Sequence, residues 1–166
     1  MNIVSASNHQ IGVIMRLFRS VTRHLRKKGV YQWDLFYPNR WVVSKDVKNK
    51  QMYVAMRDQL CVGAVVINEE QSAQYDSLPW QEGGGRPAVI HRLAVHPEHQ
   101  GQGIGKQLLY FAEEQARAQG CTSIRLDAYT ANPAALQMYE RAGYSKVGLI
   151  RYPFRKEPYQ CYEKKL

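Results

Sequence analysis

The chain has 166 residues, 45% of them hydrophobic and 22% charged, the proportions of a folded globular domain and not of a disordered or fibrous chain. No apolar run is long enough to span a bilayer and no signal-peptide pattern is visible, so a soluble cytoplasmic protein with no membrane partner is expected. Lys and Arg number 23 against 14 Asp and Glu, a net charge of +9 that suits an anionic ligand, nucleic acid or an acidic surface.

In chain order, residues 1–6 suggest a short strand. Ser7 with Gln10 forms a capping-box pattern opening a helix over residues 8–28, which Gly29 stops. Arg16, Arg19, Arg23 and Arg26 recur along one face of that helix, and Ile11, Met15, Phe18, Val21 and Leu25 fill the other. The basic stripe reads either as a solvated helix face or as a nucleic-acid contact, and no recognisable nucleic-acid motif accompanies it. The aromatic-rich stretch GVYQWDLFYPNRW reads as a packed loop leading to a short helix over residues 39–47. A hairpin follows in MYVAMRDQLCVGAVVIN, turning near Asp58. Residues 69–87, with glycines at 83–85, read as the loosest part.

Residues 88–95 then form a strand, 103–119 a helix ended by Gly120, and 121–128 another strand. Asn132-Pro133 opens a further helix, with Asn as N-cap and Pro at the first helical position, and Gly143 closes it. Residues 143–149 and 159–164 are the last strands. Strands and helices interleave without a linker or repeat, so residues 1–166 read as one α/β domain with a mixed sheet. Cys61, Cys121 and Cys161 are scattered and form no metal-type cluster, so they read as reduced, partly buried thiols, and no metal is expected.

The run QGQGIG places Gly101, Gly103 and Gly105 between a strand and a helix. A dinucleotide fingerprint fails because its third glycine position falls on Lys106. A P-loop fails because Gly105-Lys106 is followed by Gln107 and the required earlier glycine is Gln100. What survives is a strand, a glycine turn and a helix N-terminus. The first helical turn leaves backbone N–H groups without intrahelical partners, and the helix dipole places about half a positive charge there. A diphosphate can accept several such bonds if no side chain intervenes. A tight turn with close packing would use the same glycines. In NPAALQMYERAGY, Asn132 and Tyr139 lie about two helical turns apart on nearly one face.

Together these residues resemble the GNAT superfamily of N-acetyltransferases. The Q/R-x-x-G-x-G/A signature appears as Gln100-Gly101-Gln102-Gly103-Ile104-Gly105, preceded by HRLAVHP and followed by IRLDAY and NPAALQMYERAGY. The resemblance implies a single-domain fold with a mixed, mostly antiparallel sheet, splayed at its centre and flanked by helices. It implies acetyl-CoA as acyl donor, its diphosphate on N–H groups of Gln102, Gly103, Ile104, Gly105 and Lys106. The pantetheine arm would pair with main chain at Leu93, Ala94 and Val95 and touch Asn132.

The implied reaction is direct attack of a primary amine on the thioester in a ternary complex. Tyr139, from the family's Y-x-x-x-G-[FY] pattern, would be the general acid for the departing thiolate. Backbone N–H near residues 93–95 would meet the oxyanion. His91 is a candidate base, because strand alternation places it on the face of Leu93. Trp33 and Asp34 could hold a cationic acceptor. The partner is a small-molecule or peptide amine, and a homodimer stays open. Two other readings remain, a non-catalytic acyl-CoA-binding module and a basic nucleic-acid-binding protein.

Overall fold

A computed structural model describes all residues from Met1 to Leu166. Seven strands form one open mixed sheet in the order β1-β2-β3-β4-β5-β7-β6. They are β1 (Asn2–Ser5), β2 (Met52–Arg57), β3 (Leu60–Asn68), β4 (Pro87–Val95), β5 (Ser123–Tyr129), β6 (Ser145–Ile150) and β7 (Tyr159–Lys165). The helices are α1 (Ile11–Lys27), α2 (Arg40–Lys48), α3 (Ile104–Ala118) and α4 (Pro133–Arg141). β1 and β3 flank β2 antiparallel, and β7 is antiparallel to both β5 and β6. β4 and β5 are parallel, as a strand–helix–strand crossover through α3 requires. Their registered pairs run from Pro87↔Ser123 to Val89↔Arg125. No helix is long and apolar enough to cross a membrane.

Residues pack into two compact units, 1–67 with 91–112 and 68–90 with 113–166. In the first, the apolar face of α1 (Ile14, Leu17, Phe18, Val21) is buried with Val43 and Val47 of α2 and with Met52, Val54, Ala64 and Val66 of the strands. The opposite face carries Arg16, Arg19, Arg23 and Arg26, all exposed. The capping box of Ser7 and Gln10 is present, but it opens a single 3-10 turn over Asn8–Gln10, and α1 proper begins one residue later. The Asn39 side chain accepts from the Val42 N–H and starts α2. At Gly63 a Cβ would stand 2.8 Å from Leu108 Cδ1 and 3.2 Å from the Ala94 carbonyl, so only bare backbone lets α3 lie this close to β3.

In the second unit, Tyr75, Val89, Ile150 and Cys161 form a small core joined by Leu78, Trp80, Tyr152 and Tyr159. The stretch read as loosest is anchored here. It contains a 3-10 turn, Ala73–Ser77, whose Tyr75 is buried. Arg125 of β5 reaches Glu163 at 3.3 Å, donates to Gln71 Oε1 at 2.7 Å and to the Glu82 carbonyl at 3.0 Å, and lies 4.4 Å over the Trp80 ring. Glu163 Oε2 accepts from the Gln81 N–H at 2.8 Å. Composition hid this anchoring because the tether comes from a distant strand. On the helical side, Glu113 takes both a Lys164 ammonium at 2.9 Å and the Tyr144 hydroxyl at 3.1 Å.

Arg125 and Glu163 are both nearly sealed from water, with side chains 9% and 4% exposed. Truncation by Arg125→Ala strands the Glu163 charge and should cost about 3–5 kcal/mol, read from the shift of a urea unfolding curve. A loss below about 1 kcal/mol would mean that the loop is held by other contacts.

Candidate active site

The glycine run lies where β4 hands over to α3. Gly101 and Gly103 have φ of +75° and +76°, the left-handed region in which an L side chain is strained by about 1–2 kcal/mol. A Cβ at either position would meet nothing within 4 Å, so these glycines serve the backbone turn and leave open space above it. The first α-helical bond into this turn is the Gln107 N–H to the Gly103 carbonyl, 3.0 Å. The N–H groups of Ile104, Gly105 and Lys106 therefore precede the helical ladder and have no intrahelical acceptor. Gln100 donates its amide to the Val95 carbonyl at 3.2 Å, tying the loop to the strand end. Arg57 donates to the Gln102 side chain at 3.2 Å and brings a guanidinium beside the loop. Lys106 is exposed. A bare, donor-rich, cationic turn fits the diphosphate of a nucleotide-type cofactor.

β4 departs from the alternation expected of it. Arg92 has φ +46°, a left-handed residue inside the strand. The expectation that His91 and Leu93 share a face assumed extended backbone at position 92, and that assumption fails. The left-handed residue is pinned by its side chain. The Arg92 guanidinium donates to Asp46 Oδ2 at 2.6 Å and to the Tyr37 hydroxyl at 2.8 Å. Burial pulls the Arg92 pKa down, and the fields of Tyr37 and Asp46 more than restore it. His91 itself is half-buried. No sequence pattern announced the left-handed residue, although Arg92 beside His91 interrupts an otherwise apolar strand.

In the second unit Asn132 caps α4, its Oδ1 accepting from the Ala135 N–H at 3.3 Å, with Pro133 following as expected. Tyr139 is buried, its ring 5.9 Å from those of Tyr144 and Tyr162. Burial raises its pKa above that of an ordinary phenol, and the fields of Asp127 and Tyr162 add to the rise.

Asp127 is a carboxylate in an unusual setting that the sequence reading did not single out. It sits on β5, and its Oδ2 accepts two phenolic hydrogen bonds, from Tyr75 at 2.6 Å and Tyr152 at 3.0 Å. Burial raises its carboxyl above the usual aspartate range, and the two phenols pull it only part of the way back. The available signal was the lone acid in the strand segment IRLDAY.

Trp33 and Asp34 have structural work. Trp33 is buried edge-on against Phe18, 5.5 Å between ring centroids. Asp34 Oδ1 accepts from the backbone N–H groups of Phe36 at 2.7 Å and Tyr37 at 2.9 Å, holding the loop. All three cysteines are free and buried.

Residues 14–144 match the family model described as acetyltransferase (GNAT) family, and the chain belongs to that family. An uncharacterised N-acetyltransferase of Bacillus subtilis, YesJ, is 28% identical over 127 residues, covering 75% of this chain and 70% of that one. A GNAT-family acetyltransferase of Streptococcus agalactiae superposes with a TM-score of 0.85 at 20% identity, covering 99% of this chain and 95% of that one. The Salmonella typhimurium protein yncA, solved with its cofactor acetyl-CoA, gives 0.75 at 16% identity, covering 99% and 93%. The seven-stranded mixed sheet expected from the resemblance is thus the sheet observed.

Because the folded state holds the Asp127 proton more tightly than the unfolded chain does, wild-type stability should decline as pH rises from the ordinary aspartate value through the raised one. Asp127→Asn keeps an acceptor for the two phenols and cannot ionise. Its urea midpoint should match wild type at low pH and exceed it at neutral pH. Parallel pH profiles for the two proteins would show that Asp127 titrates normally.

Proposed function

We propose that this chain transfers an acetyl group from acetyl-CoA to a primary amine by direct attack in a ternary complex. The observation that carries the reading is the open turn at Gly101 and Gly103 before α3 in a chain of the GNAT family. Acetyl-CoA would supply the activated acyl thioester. Backbone N–H groups from Gln102 to Lys106 would hold its diphosphate, main chain at Leu93, Ala94 and Val95 would pair with the pantetheine arm, and Asn132 would contact that arm. Backbone N–H in residues 93–95 would face the oxyanion.

Tyr139 would give its proton to the departing thiolate. Its raised pKa keeps the phenol fully protonated at neutral pH, so the proton is present, and makes it a weaker acid than a free phenol. His91 would accept the proton of the attacking amine, directly or through water. A small-molecule amine or a peptide N-terminus would meet these requirements equally.

Calorimetry with acetyl-CoA should show saturable binding, and a thiol-release assay across an amine panel separates a transferase from a binding module. Tyr139→Phe should retain acetyl-CoA affinity while losing about two orders of magnitude in kcat, the usual scale of a lost general acid. Unchanged turnover would remove Tyr139 from the chemistry. His91→Ala should flatten the acidic limb of the pH–rate profile, and an unaltered limb would assign the base elsewhere.

A further inference from the structure

Buried carboxylates in this chain come with cations. Asp46 pairs with Arg92, Glu163 with Arg125 and Glu113 with Lys164. Asp127 differs. Its two hydrogen bonds come from neutral phenols, burial is the leading cause of its raised pKa, and the guanidinium in the cluster, Arg155, bonds the Tyr159 hydroxyl. Desolvating a carboxylate without a countercharge costs several kcal/mol, more than two neutral donors return. A fold serving stability alone would place an apolar residue or an amide there.

The geometry around it is that of a receptor. Both phenols bond the same oxygen, Oδ2, which leaves Oδ1 to take a further donor. Tyr152 is fixed in turn by Ser72 Oγ at 3.1 Å and packs edge-on to Tyr159 at 5.0 Å. Tyr75 packs against Trp80, also at 5.0 Å. Asp127, Tyr152, Tyr159 and Trp80 are all only partly buried, so the carboxylate is deep but reachable. We propose that Asp127, set by Tyr75 and Tyr152, is the recognition point for the ammonium of a small primary alkylamine, flanked by the rings of Tyr152 and Tyr159, the Trp80 face being taken by Arg125.

An ammonium group supplies both the missing charge and an N–H donor for Oδ1, and ring faces favour a cation beside an apolar stem. A metal ion is a poorer occupant. Hard cations gather several oxygen ligands, and no three His, Cys, Asp or Glu side chains converge anywhere in the chain. Tyr139, the proposed acid, lies within the field of Asp127, which places this receptor beside the chemistry. The assignment of the bound amine as acetyl acceptor rests on the transferase reading, and the binding site itself does not.

Benzylamine and n-butylamine, with benzyl alcohol as the uncharged match, test the site by calorimetry on the full chain. Wild type should bind both amines and not the alcohol. Asp127→Asn should weaken benzylamine at least tenfold while leaving coenzyme A affinity unchanged. Equal amine binding by Asp127→Asn, or alcohol binding as tight as amine binding, would overturn the proposal. A second measurement needs no variant. The carboxyl-carbon resonance of Asp127 followed against pH should show its pKa fall when benzylamine saturates the wild type, and an unmoved pKa would also overturn it. Amine binding that depends on Asp127 in a protein with no affinity for coenzyme A would leave this site standing and remove the transferase reading instead.

Discussion

Left-handed backbone at Gly101 and Gly103 is the constraint from which the rest of the site follows. It turns the chain from the end of β4 into α3 within a few residues, and the first N–H groups of the helix are left without intrahelical acceptors. Any other residue at these two positions would be strained by its own Cβ, and its side chain would stand in space that is open now. Gln100 holding the Val95 carbonyl and Arg57 holding Gln102 keep that turn from relaxing. The same few residues thus set the conformation, expose the donors and place positive charge beside them.

Elsewhere the chain buries charge in two distinct ways. Arg92–Asp46, Arg125–Glu163 and Lys164–Glu113 are closed pairs, each tying elements far apart in sequence. Such pairs add little net stability over apolar packing, but breaking one is costly, so they fix geometry more than they raise stability. At Arg92 the fixed geometry is the left-handed kink of β4, and at Arg125 it is the path of residues 71–82. Asp127 is held instead by two neutral phenols, and that missing countercharge is what the proposed amine would supply.

Much of this was legible in the sequence for a physical reason. Local signals are short-range, and the helix caps at Asn39 and Asn132, the hairpin turn at Asp58 and the glycine turn at 101–103 act within a few residues of themselves. The succession of strands and helices and the family resemblance followed from the order in which those signals appear along the chain. What stayed hidden depends on residues meeting across long separations. The kink at Arg92 is held from Asp46 and Tyr37, and no periodicity encodes it. Aromatic density near Trp33 and Asp34 suggested an acceptor site, yet those side chains serve the core and the loop. The cluster that does look like a receptor is assembled from Tyr75, Asp127 and Tyr152, three widely spaced positions.

The nearness of Asp127 to Tyr139 gives the two sites one electrostatic economy. With Asp127 unpaired, any negative charge it carries makes the Tyr139 phenol a weaker acid, beyond what burial already imposes. A cationic amine on Asp127 would cancel that field and bring the phenol nearer to the range in which it can protonate a thiolate. On the proposed reading that gain lasts while the bound amine is cationic, and it is lost once the amine gives up its proton for attack.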